Sequence, residues 1–392
     1  MISPTPPTGT GNQSPIRVLH DHGQSVWLDD ISRTMLTSGA LQRQVEEVGI
    51  RGVTSNPTIF EKAIAAGDAY DEAIMALLRQ GKSAGDIFEA VEVEDIRDAC
   101  DVFRPLYDQS NGGDGFVSIE VSPAFARDGE GTLTEARRLW ASVDRPNLMV
   151  KIPGTAEGVS AIRQALIDGL NVNVTLLFSI ENYERVAHAY VDALSARHQA
   201  GQPVAKIASV ASFFVSRVDT LVDKLLNQKL EDATSQADKD KINDFMGKAA
   251  VANAKMAYAS FQDIFDGPRF AELAKAGAHP QRPLWASTGV KNPAYRDTLY
   301  VEELIGPNTV NTMPGKTLEA FADHGKVATT VTEGLDEARR VLTGLAEVGI
   351  DLTAVTAQLE DEGIATFSAS FEALLDGVEA KRATLAEAVG AS

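Results

Sequence analysis

Short apolar runs alternate along the chain with longer stretches in which apolar residues recur every three or four positions. The runs are Ser25–Asp30, Gly52–Pro57, Gly115–Val121, Leu148–Ile152, Val172–Phe178, Ile207–Phe214, Pro283–Ser287 and Thr309–Pro314. All have the length and composition of buried strands. Between them, Ile180–Ala200 carries Tyr183, Val186, Tyr190 and Leu194 at helical intervals. Leu133–Val143 is a second such stretch, expected to open on a capping box formed by Thr132 and Glu135. Strands alternating with helices build a parallel sheet. Eight units of this kind predict an α/β fold closed into a (β/α)8 barrel, whose strands deliver their last residues to one rim. An open doubly wound sheet is the alternative arrangement of the same elements.

Two intervals, 58–114 and 218–282, are too long for one helix each. Both have helical patterning, and Asp238–Lys241 is charged at every position, so they are expected as helices inserted on the outside of the barrel. Further helices are expected over Thr317–Ala322, Glu333–Glu347 and Ile364–Glu387. Residues 1–15 are rich in Pro, Thr, Ser and Gly and lack apolar periodicity, which predicts a disordered tail. His20 and His22 follow it in an entry segment expected to be poorly structured. The expected organisation is thus a tail, 1–15, and a single barrel domain, 16–392, with helical insertions and C-terminal helices.

The 392 residues suffice for a sizeable core, and 44% hydrophobic with 23% charged residues describes a globular protein. A net charge of −19 argues against nucleic acid and against anionic membrane surfaces as partners. No apolar run reaches transmembrane length and no secretory signal pattern stands at the start. The single cysteine, Cys100, allows no internal disulfide, which fits a reducing, cytoplasmic setting. The six histidines share no spacing that reads as a metal site, and neither a phosphate-binding Walker loop nor a dinucleotide fingerprint follows a strand. No metal and no cofactor are expected. Nothing in the sequence marks an oligomeric state.

The polar residues at the run ends carry the chemistry. Lys151 lies inside the apolar run Leu148–Ile152. Burial disfavours a charged amine, and a neutral amine attacks a carbonyl to form a Schiff base; the plainer reading is a strand-end lysine snorkelling to solvent. The other runs offer Asp29, Asn56, Glu120, Asn173 with Thr175, Ser212 followed by Arg217, and Ser287 followed by Lys291. Each has an ordinary role open to it. Asp29 can cap a helix, as can Asp30 or Ser32; Asn56 can form a turn before Pro57; Glu120 can face outward; Arg217 can sit in a surface ion pair. Their joint position at successive strand ends sets them apart, because a closed barrel would bring all of them to one cavity. A lysine, two carboxylates and hydroxyls in one cavity suit imine chemistry on a carbonyl.

The runs Val26–Arg33, Gly52–Pro57, Val117–Val121, Met149–Thr155, Asn171–Ser179 and Ser212–Arg217 resemble those of the transaldolase family, over roughly residues 25–390. Trp285–Pro293 is similar to the longer bacterial branch. The resemblance implies a class I aldolase type of TIM barrel with its reactive lysine on the fourth strand, where Lys151 falls. It implies that Lys151 forms the Schiff base and that Asp29 takes and returns the proton of the C4 hydroxyl. Glu120 and Thr175 would hold the water of imine formation and hydrolysis. Asn56, Asn173 and Ser212 would hold the substrate's hydroxyls and its dihydroxyacetone end, and Arg217 the phosphate, with Ser287 and Lys291 completing that site. Shorter relatives carry an arginine near this serine, so Lys291 departs from their pattern.

The reaction implied is transfer of dihydroxyacetone from sedoheptulose 7-phosphate to glyceraldehyde 3-phosphate, giving erythrose 4-phosphate and fructose 6-phosphate in the pentose phosphate pathway. Small-molecule sugar phosphates are then the partners. Two alternatives stand beside it. One is a fructose 6-phosphate aldolase-like enzyme, which uses a tyrosine to position a proton-donating water; the fifth run has Leu177-Phe178 instead. The other is a catalytically inactive barrel that binds sugar phosphates.

Overall fold

The computed structural model of the chain describes residues 14–390. Eight strands form a closed barrel: β1 (Gln24–Leu28), β2 (Gly52–Val53), β3 (Phe116–Glu120), β4 (Leu148–Pro153), β5 (Val172–Leu177), β6 (Ser209–Phe214), β7 (Arg282–Ala286) and β8 (Thr309–Met313). They pair in sequence order, all parallel, and β8 closes onto β1 with Gln24 opposite Thr309. The (β/α)8 architecture expected from the alternation is the observed one, and the open sheet is excluded.

Strand periodicity decides what the interior holds. Side chains two apart share a face, so Trp27 and Asp29, Ser118 and Glu120, Met149 and Lys151, Asn173 and Thr175, and Ser212 and Phe214 form same-face pairs. The lower members fill the barrel. Trp27 is fully buried, and an added Cβ on Gly52 would stand 2.7 Å from its ring, so β2 must present a glycine there. Asp114, buried at the N-terminal end of the barrel, accepts from Trp27 Nε1 (3.2 Å), Arg51 Nε (2.7 Å) and the Ser25 hydroxyl, with Arg282 3.6 Å away. The upper members lie at the opposite end, where the strands finish.

Of the long intervals, 58–114 contains the helices Pro57–Ala65, Asp71–Leu78 and Ala84–Gln109. The interval 218–282 contains Ser216–Asp232, Gln236–Asn243, Ala249–Phe265 and Pro268–Lys275. The helix expected at Leu133–Val143 begins earlier, at Gly129. Asp128, not Thr132, is its cap, accepting from the backbone N–H of Glu130 and Gly131; the Thr132 hydroxyl instead donates to Phe125 O at 2.8 Å. An acidic acceptor ahead of the first turn supplied the cap before Thr132 was reached.

Residues 1–13 of the expected tail lie outside the described residues. Its end does not continue as a tail: Pro15–Asp21 is a helix whose Ile16 and Leu19 are buried, and His20 bonds to Gln24 O and Gly49 O at 3.1 and 3.0 Å. The entry segment around His20 is therefore ordered by an apolar pair. The last helix is longer than expected, Leu352–Gly390. No helix among the described residues is long and apolar enough to cross a membrane.

Candidate active site

At the C-terminal end of the barrel, strand ends and loops enclose a cavity of about 190 Å³. Eight of the ten residues singled out in the sequence line it: Asp29, Asn56, Lys151, Thr175, Ser212, Arg217, Ser287 and Lys291. The other two stand directly behind. Glu120 Oε2 lies 3.1 Å from Lys151 Nζ, and Asn173 accepts from the Ser212 hydroxyl at 2.7 Å while donating to Ser118 Oγ at 3.0 Å. A larger cavity, about 280 Å³, lies outside the barrel beside Lys255 and Glu303 and holds none of these groups.

Lys151 is 5% exposed, so the snorkelling alternative fails. Its ammonium donates to Glu120 and to Ser55 O at 3.2 Å, and the ring of Phe367 covers it, centroid 5.5 Å away. Register sets the Glu120 contact, because β3 and β4 pair with Glu120 opposite Lys151. Burial pushes the Glu120 carboxyl above the usual carboxylate range, against the pull of Lys151. Asp29 is raised as well, burial outweighing Lys151, the Thr54 hydrogen bond and Arg217. Two carboxyls that hold protons more readily than normal, beside an amine, form a site suited to moving protons.

Asp29 directly follows β1. Its Oδ1 accepts from Thr54 Oγ1 at 2.6 Å, and Thr54 meets Thr312 Oγ1 at 2.7 Å. It does not cap the next helix; Ser32 does, accepting from Met35 N. Asn56 uses its side-chain oxygen to cap the helix Pro57–Ala65, bonding Ile59 N at 3.1 Å, while its residue borders the cavity. The cap fixes the rotamer.

Thr175 lies on β5 where the pairing to β6 shifts register between Val174 and Leu177, and Leu176 has φ of +59°. A non-glycine residue in that region costs about 1–3 kcal/mol. The bulge leaves the Thr175 hydroxyl, fully buried, with no hydrogen-bond partner among the described residues. Ser287 is likewise held at φ +55°, one residue beyond β7, with its hydroxyl 2.9 Å from Ser216 Oγ. Strain thus sits at two points of the cavity wall.

Arg217 is in the first turn of Ser216–Asp232, its guanidinium 5.3 Å from the Phe214 ring centroid. It makes no ion pair among the described residues, against the surface-pair alternative. Lys291 is exposed on the loop after β7 and contributes from the rim.

Several wall residues escaped the sequence reading. Thr54 stands in Thr54-Ser-Asn-Pro57 and Thr312 on the last strand, where no candidate was singled out. Phe214 was legible, since it shares a face with Ser212. Two aromatic residues line the cavity, Phe214 of β6 and Phe367, whereas Phe178 of the fifth run packs behind Phe214 at 5.1 Å between ring centroids. Phe367, from a helix outside the barrel, gave no local signal. Among the described residues, no group of three or more His, Cys, Asp or Glu side chains is arranged to hold a metal.

Comparison with known proteins adds an independent line. The family model described as transaldolase/fructose-6-phosphate aldolase matches residues 26–378. A transaldolase of Thermobifida fusca is 51% identical over 367 residues, covering 93% of this chain and 97% of that one. One from Trichodesmium erythraeum is 47% identical over 361 residues, 92% and 95% respectively. A third, from Mycobacterium bovis, is 47% identical over 380 residues, 96% and 100%.

Proposed function

The chain belongs to the transaldolase/fructose-6-phosphate aldolase family and catalyses the transaldolase reaction, and we propose that it does so through a Schiff base on Lys151. The dihydroxyacetone unit passes from sedoheptulose 7-phosphate to glyceraldehyde 3-phosphate. The observation that carries the residue assignment is the buried Lys151 Nζ, 3.1 Å from Glu120 and facing a cavity that also holds Asp29.

Lys151 Nζ attacks the ketose carbonyl. Glu120 first takes a proton from the nitrogen to free its lone pair; after the attack a second nitrogen proton passes to the alkoxide, giving the carbinolamine, and Glu120 returns the first to that hydroxyl, which leaves as water and yields the iminium. The partnerless Thr175 hydroxyl and the Glu120 carboxyl are the two groups suited to hold that water. Asp29 then removes the C4 hydroxyl proton. As the C3–C4 bond breaks, its electrons pass to the iminium nitrogen, leaving an enamine and freeing erythrose 4-phosphate. Addition of the enamine carbon to glyceraldehyde 3-phosphate runs the same steps backwards, with Asp29 returning its proton. Water then hydrolyses the new imine to fructose 6-phosphate.

Arg217, with Ser287 and Lys291 beside it, suits the phosphate, since a guanidinium matches phosphate oxygens. Asn56, Asn173 and Ser212 suit the hydroxyls around the reacting carbons. Sugar phosphates are the partners we assign, and the acidic net charge argues against nucleic acid. We read residues 16–392 as one such barrel unit, the helices of 58–114 and 218–282 lying outside it. Its setting we infer to be the cytoplasm, consistent with a single buried cysteine, Cys100.

Borohydride reduction in the presence of fructose 6-phosphate tests the assignment. It should add one sugar-derived mass to the peptide containing Lys151, and Lys151→Ala should lose both the label and turnover while remaining folded. Label on a different lysine would overturn it.

A further inference from the structure

The last helix, Leu352–Gly390, belongs to no strand connection, yet it crosses the open end of the barrel. It is tied down at several points around the rim. Asp361 pairs with Arg127 beyond β3, Glu360 accepts from Asn182 at 2.8 Å, Ser370 accepts from Thr58 at 2.7 Å, and Lys381 pairs with Asp71 at 2.6 Å. Gly363 permits the close approach: an added Cβ would stand 2.9 Å from Leu176 Cδ2 and 3.8 Å from Arg217 Nη1. One turn later the same helix lays the Phe367 ring over Lys151 Nζ, 7% exposed and forming part of the cavity wall.

We propose that Phe367 is a specificity-determining residue that decides the fate of the lysine-bound enamine by keeping water off it. The inference rests on the Schiff-base reading of Lys151. Once the first aldose has left, the enamine has two ways forward. It can add to an acceptor aldehyde, which is transfer. Alternatively its carbon takes a proton from water, and hydroxide then adds to the resulting iminium and expels the lysine amine. The sum of that second path is enamine plus one water giving free Lys151 and dihydroxyacetone.

The geometry favours the first path. The Phe367 ring lies over Nζ in the cavity wall and has no O–H or N–H to give a proton. Its face, which attracts the ammonium, equally attracts the iminium cation. Phe214, Ala286 and Pro314 extend the apolar wall. Excluding water in this way protects a reactive intermediate from a side reaction.

The test supplies fructose 6-phosphate with and without erythrose 4-phosphate and measures dihydroxyacetone released against sedoheptulose 7-phosphate formed. Phe367→Ala should raise that ratio about tenfold or more, with borohydride still labelling Lys151. Phe367→Leu keeps most of the volume and should fold normally, raising the ratio about threefold. If the alanine variant does not fold, the leucine variant decides. A ratio unchanged in the folded variants, even with a lower kcat, would mean the ring only packs, and overturns the proposal. Failure of native enzyme to label at Lys151 would instead sink the Schiff-base reading, whatever the ratio.

Discussion

On the proposed mechanism, Thr175 serves the chemistry at the expense of the fold. Its hydroxyl is buried without a partner among the described residues, beside a left-handed Leu176, and an unsatisfied buried hydroxyl costs about 1–3 kcal/mol. Thr175→Val keeps the shape and removes that hydroxyl. Thermal melting should rise slightly, by the equivalent of about 1 kcal/mol, while kcat falls about ten- to a hundredfold as the water loses one anchor. A variant that loses stability with unchanged kcat would contradict the water-holding role. Arg217 tests the other end of the substrate. Arg217→Ala should raise KM for phosphorylated sugars about a hundredfold, the scale of a charge-assisted contact, and leave unphosphorylated dihydroxyacetone donors within about threefold. Equal losses on both would argue against phosphate binding. Such residues were legible because polarity at a strand end is visible against an apolar run, as at Lys151 and Glu120. Thr54 and Thr312 were not, since threonine is ordinary in strands and only the barrel's closure shows that both hydroxyls chain onto Asp29.

At the level of elements, the helix that carries Arg217 is locked by an acidic joint. Asp219 accepts from Ala250 N at 2.7 Å and from Tyr300 at 2.9 Å, and Asp223 from Gly247 N and Tyr295 at 2.9 and 2.6 Å. Asp219 thereby caps the first turn of Ala249–Phe265, and Asp223 holds Gly247 just ahead of it. Burial pushes the Asp219 carboxyl up to about 6, against those hydrogen bonds. The folded form therefore binds the proton more tightly than the unfolded chain. The stability this contributes is fully present below about pH 4 and is lost as pH rises through about 6. In denaturant titrations, the stability difference between the native protein and Asp219→Asn should therefore shift in the variant's favour by about 3 kcal/mol from pH 4 to pH 7.5. A difference that stays constant with pH would place the joint's titration elsewhere. Element boundaries were legible where apolar spacing was regular, as in Ile180–Gln199. The last helix was expected only from Ile364, whereas it begins at Leu352 and runs through Gly363. In the fold that glycine is a close-packing position, set by Leu176 from a distant strand.

For the whole molecule, the two ends of the barrel carry separate duties, as expected of this architecture. The C-terminal end gathers the strained backbone, the raised carboxyls and the partnerless hydroxyl. At the N-terminal end, Asp114 meets Arg51, Arg282, Trp27 and Ser25, and none of them approaches the cavity. The eight-strand closure could be read from the alternation of runs, but this plug could not, because Asp114 stands in a Gly-rich turn, Asn111–Gly115, that reads as a surface loop. Removing one partner of a buried charge cluster costs about 3–5 kcal/mol. Spread over an unfolding entropy of about 2.1 cal/mol/K per residue, 3 kcal/mol lowers Tm by about 4 °C for a chain of this size. Asp114→Ala should therefore melt about 4 °C earlier and, assayed well below that melt, keep kcat and KM within about twofold of native. Loss of activity at a temperature where the variant is still folded would show that the two ends are coupled, and that the barrel does not insulate its chemistry from its foundation.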